Sequence, residues 1–334
     1  MSLRIGVVLP EINESTLRLA AQVGATDIVG NVPAGPGTHP LHGTGEPVAD
    51  FAALLHTQQQ IADAGLTWAV VESLMIPDRV KFGQAGRDED IENWCRSIRN
   101  IGAAGIPIVC YHWMTVYGHF RTSHTRRVRG GALSTAYNHD LMRHAPYTEH
   151  GEVSQETLWA SLEYFLRAVV PVAEEAGVKL AMHPDDPPLS PIRGLGRIMI
   201  SPDNFQRLID LVPSPSNGIT FCQGCFSEMG CDIPAVLKHF GEQDKVFFAH
   251  FRNLRGTTTD FYETFHDTGQ VDMVAVMRAF YDLGFQYPIR PDHVPALEGE
   301  DRDSPGYSLL GRLYAIGFMK GLMLAVEKDL ETIP

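Results

Sequence analysis

The sequence predicts a single (β/α)8 TIM barrel with one insertion after its fourth strand. Short β-rich runs alternate eight times with longer segments of helical periodicity, and several of the runs are almost entirely apolar, as barrel strands are. The length of 334 residues and the 44% hydrophobic content fit one barrel domain. A doubly wound open sheet usually has fewer strands, so the closed barrel is favoured.

The eight predicted strands are bounded by turn-forming residues. In chain order they are Arg4–Leu9, Asp27–Val32, Thr67–Glu72, Pro107–Tyr111, Lys179–His183, Gly218–Cys222, Val246–His250 and Ile289–Asp292. The predicted helices between and after them are Glu14–Val23, Pro47–Ala64, Asp88–Ala104, Ser154–Ala176, Pro202–Leu211, Ile233–Phe240, Val271–Leu283 and Leu309–Val326. Gly65, Gly105, Gly177 and Gly284 follow helical segments directly and predict left-handed helix ends.

A long polar segment separates the fourth strand from the fourth helix. Residues 113–153 are rich in Arg, His, Gly and Tyr. In a barrel this segment lies above the C-terminal mouth, where lids and subunit contacts occur. We therefore predict one domain over residues 1–334, with residues 113–153 as an inserted lid or subunit contact, and a homo-oligomer, dimeric or larger.

Charge and cysteine content narrow the partners and the compartment. A formal net charge of −13 argues against nucleic acid or a membrane surface as a partner, whereas a small anionic substrate can still bind to a few arginines. Five cysteines, an odd number, argue against a secreted disulfide framework. The apolar run Ile5–Leu9 is too short for a signal peptide or a membrane span. We expect a cytoplasmic location.

Four successive predicted strands end in a residue that can bind a metal. These residues are His183, Cys222, His250 and Asp292. Each one alone is compatible with an ordinary barrel residue, but strand ends of a barrel converge on one mouth, so four in succession predict a common site. Two imidazoles, a thiolate and a carboxylate suit Zn, Fe or Mn and offer too much nitrogen and sulfur for Ca or Mg.

Cys222 and Cys225 also form a CxxC pair, which is compatible with a structural zinc site or a redox dithiol. A four-cysteine zinc site needs a second such pair, which the sequence lacks. Thioredoxin-like motifs lie near the first βαβ unit, whereas this pair follows the sixth predicted strand. We therefore interpret Cys225 as a packing residue.

Further polar residues lie at predicted strand ends. Glu72 ends the third strand and His112 follows the fourth, so both are predicted to face the mouth. Arg252, Arg290 and Arg312 lie near or beyond the last two strand ends. There a guanidinium can hold a substrate carboxylate or form a structural ion pair, and we select Arg252 and Arg290 as candidate substrate ligands.

The acidic turn after His183 is a candidate support for that ligand. Asp185 and Asp186 lie between prolines directly after the strand, where either carboxylate could orient the imidazole of His183. A turn selected only for its Asp and Pro residues would have the same sequence.

Several motifs together resemble the mannonate dehydratase family. They are Leu-Thr-Trp-Ala-Val-Val-Glu-Ser (66–73), Gly-Arg-Asp-Glu (86–89), His-Pro-Asp-Asp-Pro-Pro (183–188), Asn-Gly-Ile-Thr-Phe-Cys (217–222), His-Phe-Arg (250–252), Gly-Gln-Val-Asp-Met (269–273), Arg-Pro-Asp-His (290–293) and Pro-Gly-Tyr-Ser (305–308). Their order and spacing cover most of the chain.

The resemblance implies a barrel enzyme that dehydrates D-mannonate to 2-keto-3-deoxy-D-gluconate in hexuronate degradation. It implies a divalent metal, most often Mn²⁺ with Fe²⁺ as the alternative, held by the four residues at the strand ends. The family's acid/base histidine and tyrosine fall on His293 and Tyr307. The chain departs from the family where His-Gly-His is replaced by His293-Val-Pro295 and Asp-Trp-Thr-Arg-Thr by residues 118–122.

Two other functions remain open from the sequence. A metal-dependent sugar isomerase or epimerase on the same fold also needs histidines and carboxylates at the mouth. The second possible function is that of a non-catalytic sugar-acid binding protein with a structural metal. The thiolate ligand argues against the isomerase, and the presence of His293 and Tyr307 argues for catalysis.

Overall fold

A computed structural model describes residues 3–33, 48–300 and 305–331. The strands in chain order are β1 (Arg4–Val7), β2 (Asp27–Gly30), β3 (Thr67–Glu72), β4 (Ile108–His112), β5 (Ser123–Arg127), β6 (Leu133–Asn138), β7 (Lys179–His183), β8 (Asn217–Cys222), β9 (Val246–Phe251), β10 (Leu254–Thr257), β11 (Asp260–Glu263) and β12 (Pro288–Pro291). The helices are α1 (Glu14–Val23), α2 (Phe51–Asp63), α3 (Asp78–Lys81), α4 (Arg87–Ala103), α5 (Gln155–Ala176), α6 (Pro202–Leu211), α7 (Gln223–Glu228), α8 (Ile233–Gly241), α9 (Met273–Asp282) and α10 (Leu309–Glu331).

Eight of these strands form a closed parallel barrel in the order β1-β2-β3-β4-β7-β8-β9-β12. β12 pairs with β1 and closes it. This confirms the predicted fold, and all eight predicted strands are present, although the first two end at Val7 and Gly30, two residues earlier than predicted. The register places His112 beside His183 and Cys222 beside His250, so the strand ends that carry polar residues are neighbours.

The eight predicted helices are also present, and side-chain caps explain where two of them begin. α2 starts at Phe51, not at Pro47, because the Asp50 side chain accepts a hydrogen bond from the Ala53 amide. Pro47 lies outside the described residues. α9 starts at Met273 because Asp272 caps it in the same way. The four predicted helix-end glycines all have positive φ, between 59° and 81°, as left-handed ends require.

The hydrophobic core has two layers. Small and aromatic residues fill the barrel interior, namely Val29, Ala69, Val70, Ile108, Cys110, Ala181, Phe247 and Phe248. A larger layer lies between the strands and the surrounding helices and includes Trp68, Phe165, Phe205 and Ile316. The filled interior leaves only the rim of the barrel for a site, and the polar strand ends are all at the C-terminal rim.

The insertion contributes two strands to a second sheet above this rim. β5 and β6 belong to residues 113–153, and they pair with the β10–β11 hairpin in the antiparallel order β10-β11-β6-β5. Tyr137, Leu254 and Phe261 form the small apolar core of this sheet. Leu133 also bridges to Ala296 beyond the last barrel strand. The insertion is therefore joined to two loops of the barrel mouth.

One helix among the described residues, α10, is long and apolar enough to cross a membrane by length and composition. It occupies the position of the eighth barrel helix, and Ala315, Ile316 and Met319 are buried against the barrel. Leu310, Tyr314 and Leu324 of the same helix are exposed.

Candidate active site

Three of the predicted metal ligands meet at the ends of β7, β8 and β9. One ligand atom each from His183, Cys222 and His250 lies within 4.8 Å of the others. Nε2 of His183 and Nδ1 of His250 are 3.1 Å apart. Two nitrogens that each lie about 2 Å from one ion are separated by about 3 Å, so this spacing fits a shared metal.

Asp292, the fourth predicted ligand, follows β12 and joins this group through His250. Its Oδ2 lies 3.3 Å from Nδ1 of His250, while Oδ1 pairs with Nη1 of Arg290 at 2.9 Å. Burial opposes ionisation, but the adjacent Arg290 charge above all holds the pKa of Asp292 well below its usual range. The carboxylate is therefore charged, as a metal ligand must be.

Cys222 has the electrostatic environment of a thiolate. Burial opposes ionisation, but the Cys225 thiol, Arg252, His183 and His250 together hold the pKa of Cys222 well below its usual range. Burial raises the pKa of Cys225, which stays a thiol and lies 3.3 Å from the Arg252 guanidinium. Both cysteines are free, and only Cys222 belongs to the cluster with the two histidines. The two residues of the CxxC pair therefore differ in position and charge.

His293 and Tyr307 form a hydrogen-bonded pair beside the cluster. Nε2 of His293 lies 3.2 Å from the Tyr307 hydroxyl, and Nδ1 lies 3.0 Å from Oε1 of Glu263. Arg252 lowers the pKa of the buried Glu263 carboxyl despite its desolvation, so this group is an acceptor, and in the tautomer with hydrogen on Nδ1 His293 donates to it. His293 Nε2 is then left with its lone pair facing the tyrosine.

Tyr307 is the more exposed member of the pair, since 41% of its surface is accessible and only 6% of that of His293. Desolvation of the hydroxyl and the nearby Asp292 carboxylate raise the pKa of Tyr307. The phenol therefore keeps its proton at neutral pH. The pair presents a proton acceptor and a proton donor at the open end of the barrel.

Glu72 and Arg290 form a buried ion pair on the opposite side of His250. Nη2 of Arg290 donates to Oε1 of Glu72 at 2.9 Å, and Nε2 of His250 lies 2.9 Å from the same oxygen. Burial opposes the ionisation of Glu72, but Arg290 and His250 lower its pKa to about 2. Both residues lie at the mouth, as predicted. Glu72 contacts the candidate metal ligand His250, and Arg290 contacts the candidate ligand Asp292.

His112 lies next to His183 at the mouth, as predicted. Burial and the charge of Lys81 hold the pKa of His112 well below its usual range, so its imidazole is neutral. Within the described residues, its buried Nδ1 has no hydrogen-bond partner. A buried polar atom without a partner is costly, which makes His112 a suitable contact for a polar ligand.

Arg252 was predicted to contact substrate, but its side chain is surrounded by protein groups. Its side chain is fully buried, and its guanidinium lies 2.9–3.1 Å from carboxyl oxygens of Asp186, Glu263 and Glu228, of which Glu228 has its pKa raised by burial. It also contacts Nδ1 of His293. This environment favours a role in holding His293 and its carboxylates in place over the predicted contact with substrate.

Neither Asp185 nor Asp186 orients His183, so this prediction was wrong. Asp185 accepts hydrogen bonds from the backbone amides of Ile198 and Met199, and Asp186 pairs with buried arginines. Nδ1 of His183 instead lies 2.7 Å from the backbone oxygen of Pro184. A backbone acceptor of this kind leaves no trace in the sequence.

Three residues that the sequence did not single out complete the site. Arg121 pairs with Asp186 at 2.5 Å and with Glu263 at 2.8 Å. Glu263 orients His293, and the His119 ring lies 5.5 Å from that of His293 and 5.9 Å from that of Tyr307. His119 and Arg121 lie in the segment where the family pattern changes, which was the one available signal. Glu263 ends β11, which was not predicted.

The closed barrel, the thiolate and imidazoles at its mouth and the adjacent proton donor and acceptor define a TIM-barrel enzyme with a candidate metal centre. The sequence model of the D-mannonate dehydratase (UxuA) family matches residues 11–149 and 143–332. The mannonate dehydratase of Thermotoga maritima is 36% identical, over 83% of this chain and 86% of that protein. Mannonate dehydratase 2 of Halalkalibacterium halodurans is 35% identical, over 82% and 87%.

A solved structure agrees with these relatives. The crystal structure of mannonate dehydratase from Streptococcus suis serotype 2 has a TM-score of 0.88 and 31% identity, and it covers 100% of this chain and 96% of that one. The chain belongs to the mannonate dehydratase family, and it is accordingly a lyase of the hydro-lyase class. A D-tagatose 3-epimerase-like protein, with a TM-score of 0.64 and 13% identity, shares the fold alone.

Proposed function

We propose that this enzyme dehydrates D-mannonate to 2-keto-3-deoxy-D-gluconate. The observation that carries the proposal is the His293–Tyr307 pair, 3.2 Å apart, directly beside the cluster of His183, Cys222 and His250. Dehydration requires that a weakly acidic proton leaves C2 and that a poor leaving group, hydroxide, leaves C3. A positioned base and a positioned acid meet these two needs.

A divalent metal is part of the proposal, with Mn²⁺ as the first candidate and Fe²⁺ as the alternative. His183, Cys222, His250 and Asp292 would hold it, because their ligand atoms converge and the thiol and carboxyl are ionised. The ion would supply Lewis acidity that stabilises negative charge developing at the substrate carboxylate when C2 is deprotonated.

The geometry favours His293 as the base and Tyr307 as the acid. In the tautomer whose Nδ1 donates to Glu263, the lone pair of His293 is on Nε2, which can take the C2 proton. Tyr307 holds its proton at neutral pH and can deliver it to the C3 hydroxyl, which then leaves as water. The C2–H and C3–O bonds break, a C2–C3 double bond forms, and the resulting enol rearranges to the 2-keto product.

The residues around the pair would place the substrate. His112 has an unsatisfied nitrogen at the mouth and would contact a substrate hydroxyl. Glu72 and Arg290 lie beside His250, where they would contact the sugar acid and also orient His250 and Asp292. Arg252 would act through His293, which it contacts.

Incubation of the metal-reconstituted protein with D-mannonate tests the proposal. We expect a 2-keto-3-deoxy acid, detected as its periodate–thiobarbiturate chromophore, and we expect activity to fall on chelation and to return with Mn²⁺ or Fe²⁺. A sugar isomerase or epimerase would instead give an isomer of unchanged mass. No product with any hexonate, combined with metal binding, would indicate a binding protein.

We also propose that the enzyme is cytoplasmic and forms a homo-oligomer. All five cysteines are free, which fits a reducing compartment. The exposed apolar residues Leu310, Tyr314 and Leu324 lie on one face of α10 and support contact between copies. Light scattering of the purified protein measures the mass directly.

A further inference from the structure

The arginines at the mouth differ in how their charges are balanced. Arg252 lies within ion-pair distance of four carboxyl groups, and Arg290 forms ion pairs with Glu72 at 2.8 Å and Asp292 at 2.9 Å. Both guanidinium groups therefore have protein anions as partners. An additional carboxylate from a ligand would have to compete with these partners.

Arg312 is buried to the same degree, with 3% of its surface exposed, but its charge is not balanced in this way. Its Nη1 donates to the backbone oxygen of Val8 at 2.8 Å, at the end of β1. Among the described residues, no carboxylate lies within ion-pair distance of it. A buried guanidinium without a counter-ion is unfavourable, so an anion that entered the site would be bound strongly.

Arg312 lies close to Tyr307, the proposed proton donor. Its guanidinium carbon lies 5.7 Å from the centre of the Tyr307 ring, on the helix that follows the Pro-Gly-Tyr-Ser loop. Burial and the nearby Arg290 charge lower the pKa of Arg312 to about 10, which still leaves it protonated at neutral pH. One of its five N–H groups donates to Val8, so others remain for a planar, two-point contact.

We propose that Arg312 binds the carboxylate of the sugar acid. The proposal rests on the proposed function, since it names the group that recognises C1 of the substrate. The carboxylate carbon C1 is two bonds from C3, whose hydroxyl Tyr307 would protonate, so neighbouring contacts from Arg312 and Tyr307 fit one bound molecule. Arg312 then makes the site specific for aldonic acids over neutral sugars.

Steady-state kinetics of Arg312→Gln and Arg312→Lys test this assignment. For D-mannonate we expect Arg312→Gln to raise KM by roughly 10- to 100-fold, the range for one charge-assisted hydrogen-bonded contact, with kcat within a few-fold of wild type. Arg312→Lys should recover part of the loss, because it keeps the charge without the fork geometry. Arg278→Gln is the matched control, because Arg278 is a more exposed arginine that pairs with Asp329.

D-Mannonamide, in which a neutral amide replaces the carboxylate, separates recognition from structural support. Its inhibition constant should be the same in wild type and both Arg312 variants. An unchanged KM for D-mannonate, or an equal loss of affinity for acid and amide, would overturn the proposal. If Arg312→Gln does not fold, Arg312→Lys decides, because a several-fold rise in KM for the acid alone is still expected.

Binding without turnover separates this proposal from the proposed function. Hexonates and the matching hexonamides are compared by thermal shift of the metal-loaded protein. If wild type does not dehydrate D-mannonate but hexonates stabilise it more than Arg312→Gln, the carboxylate assignment stands and the proposed reaction fails. Equal stabilisation of both proteins by the acids would reject Arg312.

Discussion

His293 directly follows the metal-ligand candidate Asp292, yet the two side chains have different partners. Alternation along a continuing strand predicts this divergence, but β12 ends at Pro291 and His293 has a φ of 39°, in the left-handed region. The turn, not the strand, therefore directs His293 to Glu263 and Tyr307. Residues held in such conformations often belong to functional sites, because packing must offset the strain.

The two residues of the CxxC pair should differ in their effect on metal binding. Cys222 is a thiolate within the ligand cluster, whereas Cys225 is a thiol outside that cluster. We expect Cys222→Ser to lose most of its bound metal and Cys225→Ser to retain nearly all of it, as measured by elemental analysis after dialysis. Equal losses would favour a site built from both sulfurs.

Substitution of the proton-transfer pair should separate chemistry from binding. We expect His293→Asn and Tyr307→Phe each to lower kcat by roughly 10²-fold or more while metal content and substrate affinity are kept. If His293 is the base, only Tyr307→Phe should still exchange solvent deuterium into C2 of D-mannonate. Exchange by His293→Asn alone would reverse the assignment, and loss of metal from either variant would contradict the division between ligands and proton-transfer groups.

At the scale of elements, the insertion is more closely joined to the barrel than a simple lid. Its Arg121 reaches two buried carboxylates, Asp186 after β7 and Glu263 at the end of β11. Excision of residues 113–153 would leave both carboxylates with one arginine fewer. Destabilisation is therefore expected in addition to the loss of turnover or assembly that a lid or subunit contact predicts.

A single substitution tests this connection. Arg121→Met should lower the free energy of unfolding by about 3–5 kcal/mol, the usual effect of removing one partner from a buried ion pair. Arg126→Met removes an exposed arginine from the same sheet and should change the free energy by about 0.5 kcal/mol or less. Urea denaturation measures both. Similar losses of unfolding free energy in the two variants would mean that Arg121 does not stabilise the contact between the insertion and the barrel.

The barrel could be predicted from the sequence because each strand and helix carries its own local signal. The candidate metal ligands could be predicted because each lies at or next to the end of such a strand. β6 and β11 pair across more than a hundred residues, and β5 is mostly exposed and polar, so neither periodicity nor hydrophobicity marks the second sheet. The role of Glu263 depends on that sheet and could not be predicted without it.

At the scale of the whole molecule, the net charge is −13, but a group of buried arginines lies at the mouth of the barrel. Arg121, Arg252, Arg290 and Arg312 are all nearly inaccessible. Three of them are paired with carboxylates and shape the site, and Arg312 lacks such a partner among the described residues. A small anion can therefore be bound by a protein whose overall charge repels it.

A buried histidine outside the metal cluster should make stability depend on pH. His266 is 1% exposed and donates from Nε2 to the Phe251 backbone oxygen at 2.6 Å, where β9 meets the second sheet and α10. Burial lowers the pKa of His266 to about 4, against about 6.5 in an unfolded chain. Its stabilising contribution is complete above about pH 6.5 and is lost as the pH falls towards about 4, because only the unfolded state then binds the proton.

We therefore expect wild type to lose about 3 kcal/mol more unfolding free energy than His266→Gln between pH 7 and pH 4. Glutamine can keep the hydrogen bond to Phe251 but does not titrate. Urea denaturation at a series of pH values measures the difference, in which the contributions of metal release and of other carboxylates cancel because both proteins share them. His124→Gln, at an exposed position on β5, should follow the wild-type curve. If His266→Gln runs parallel to wild type, His266 does not carry the acid sensitivity of the fold, and the buried carboxylates at the mouth would have to account for it.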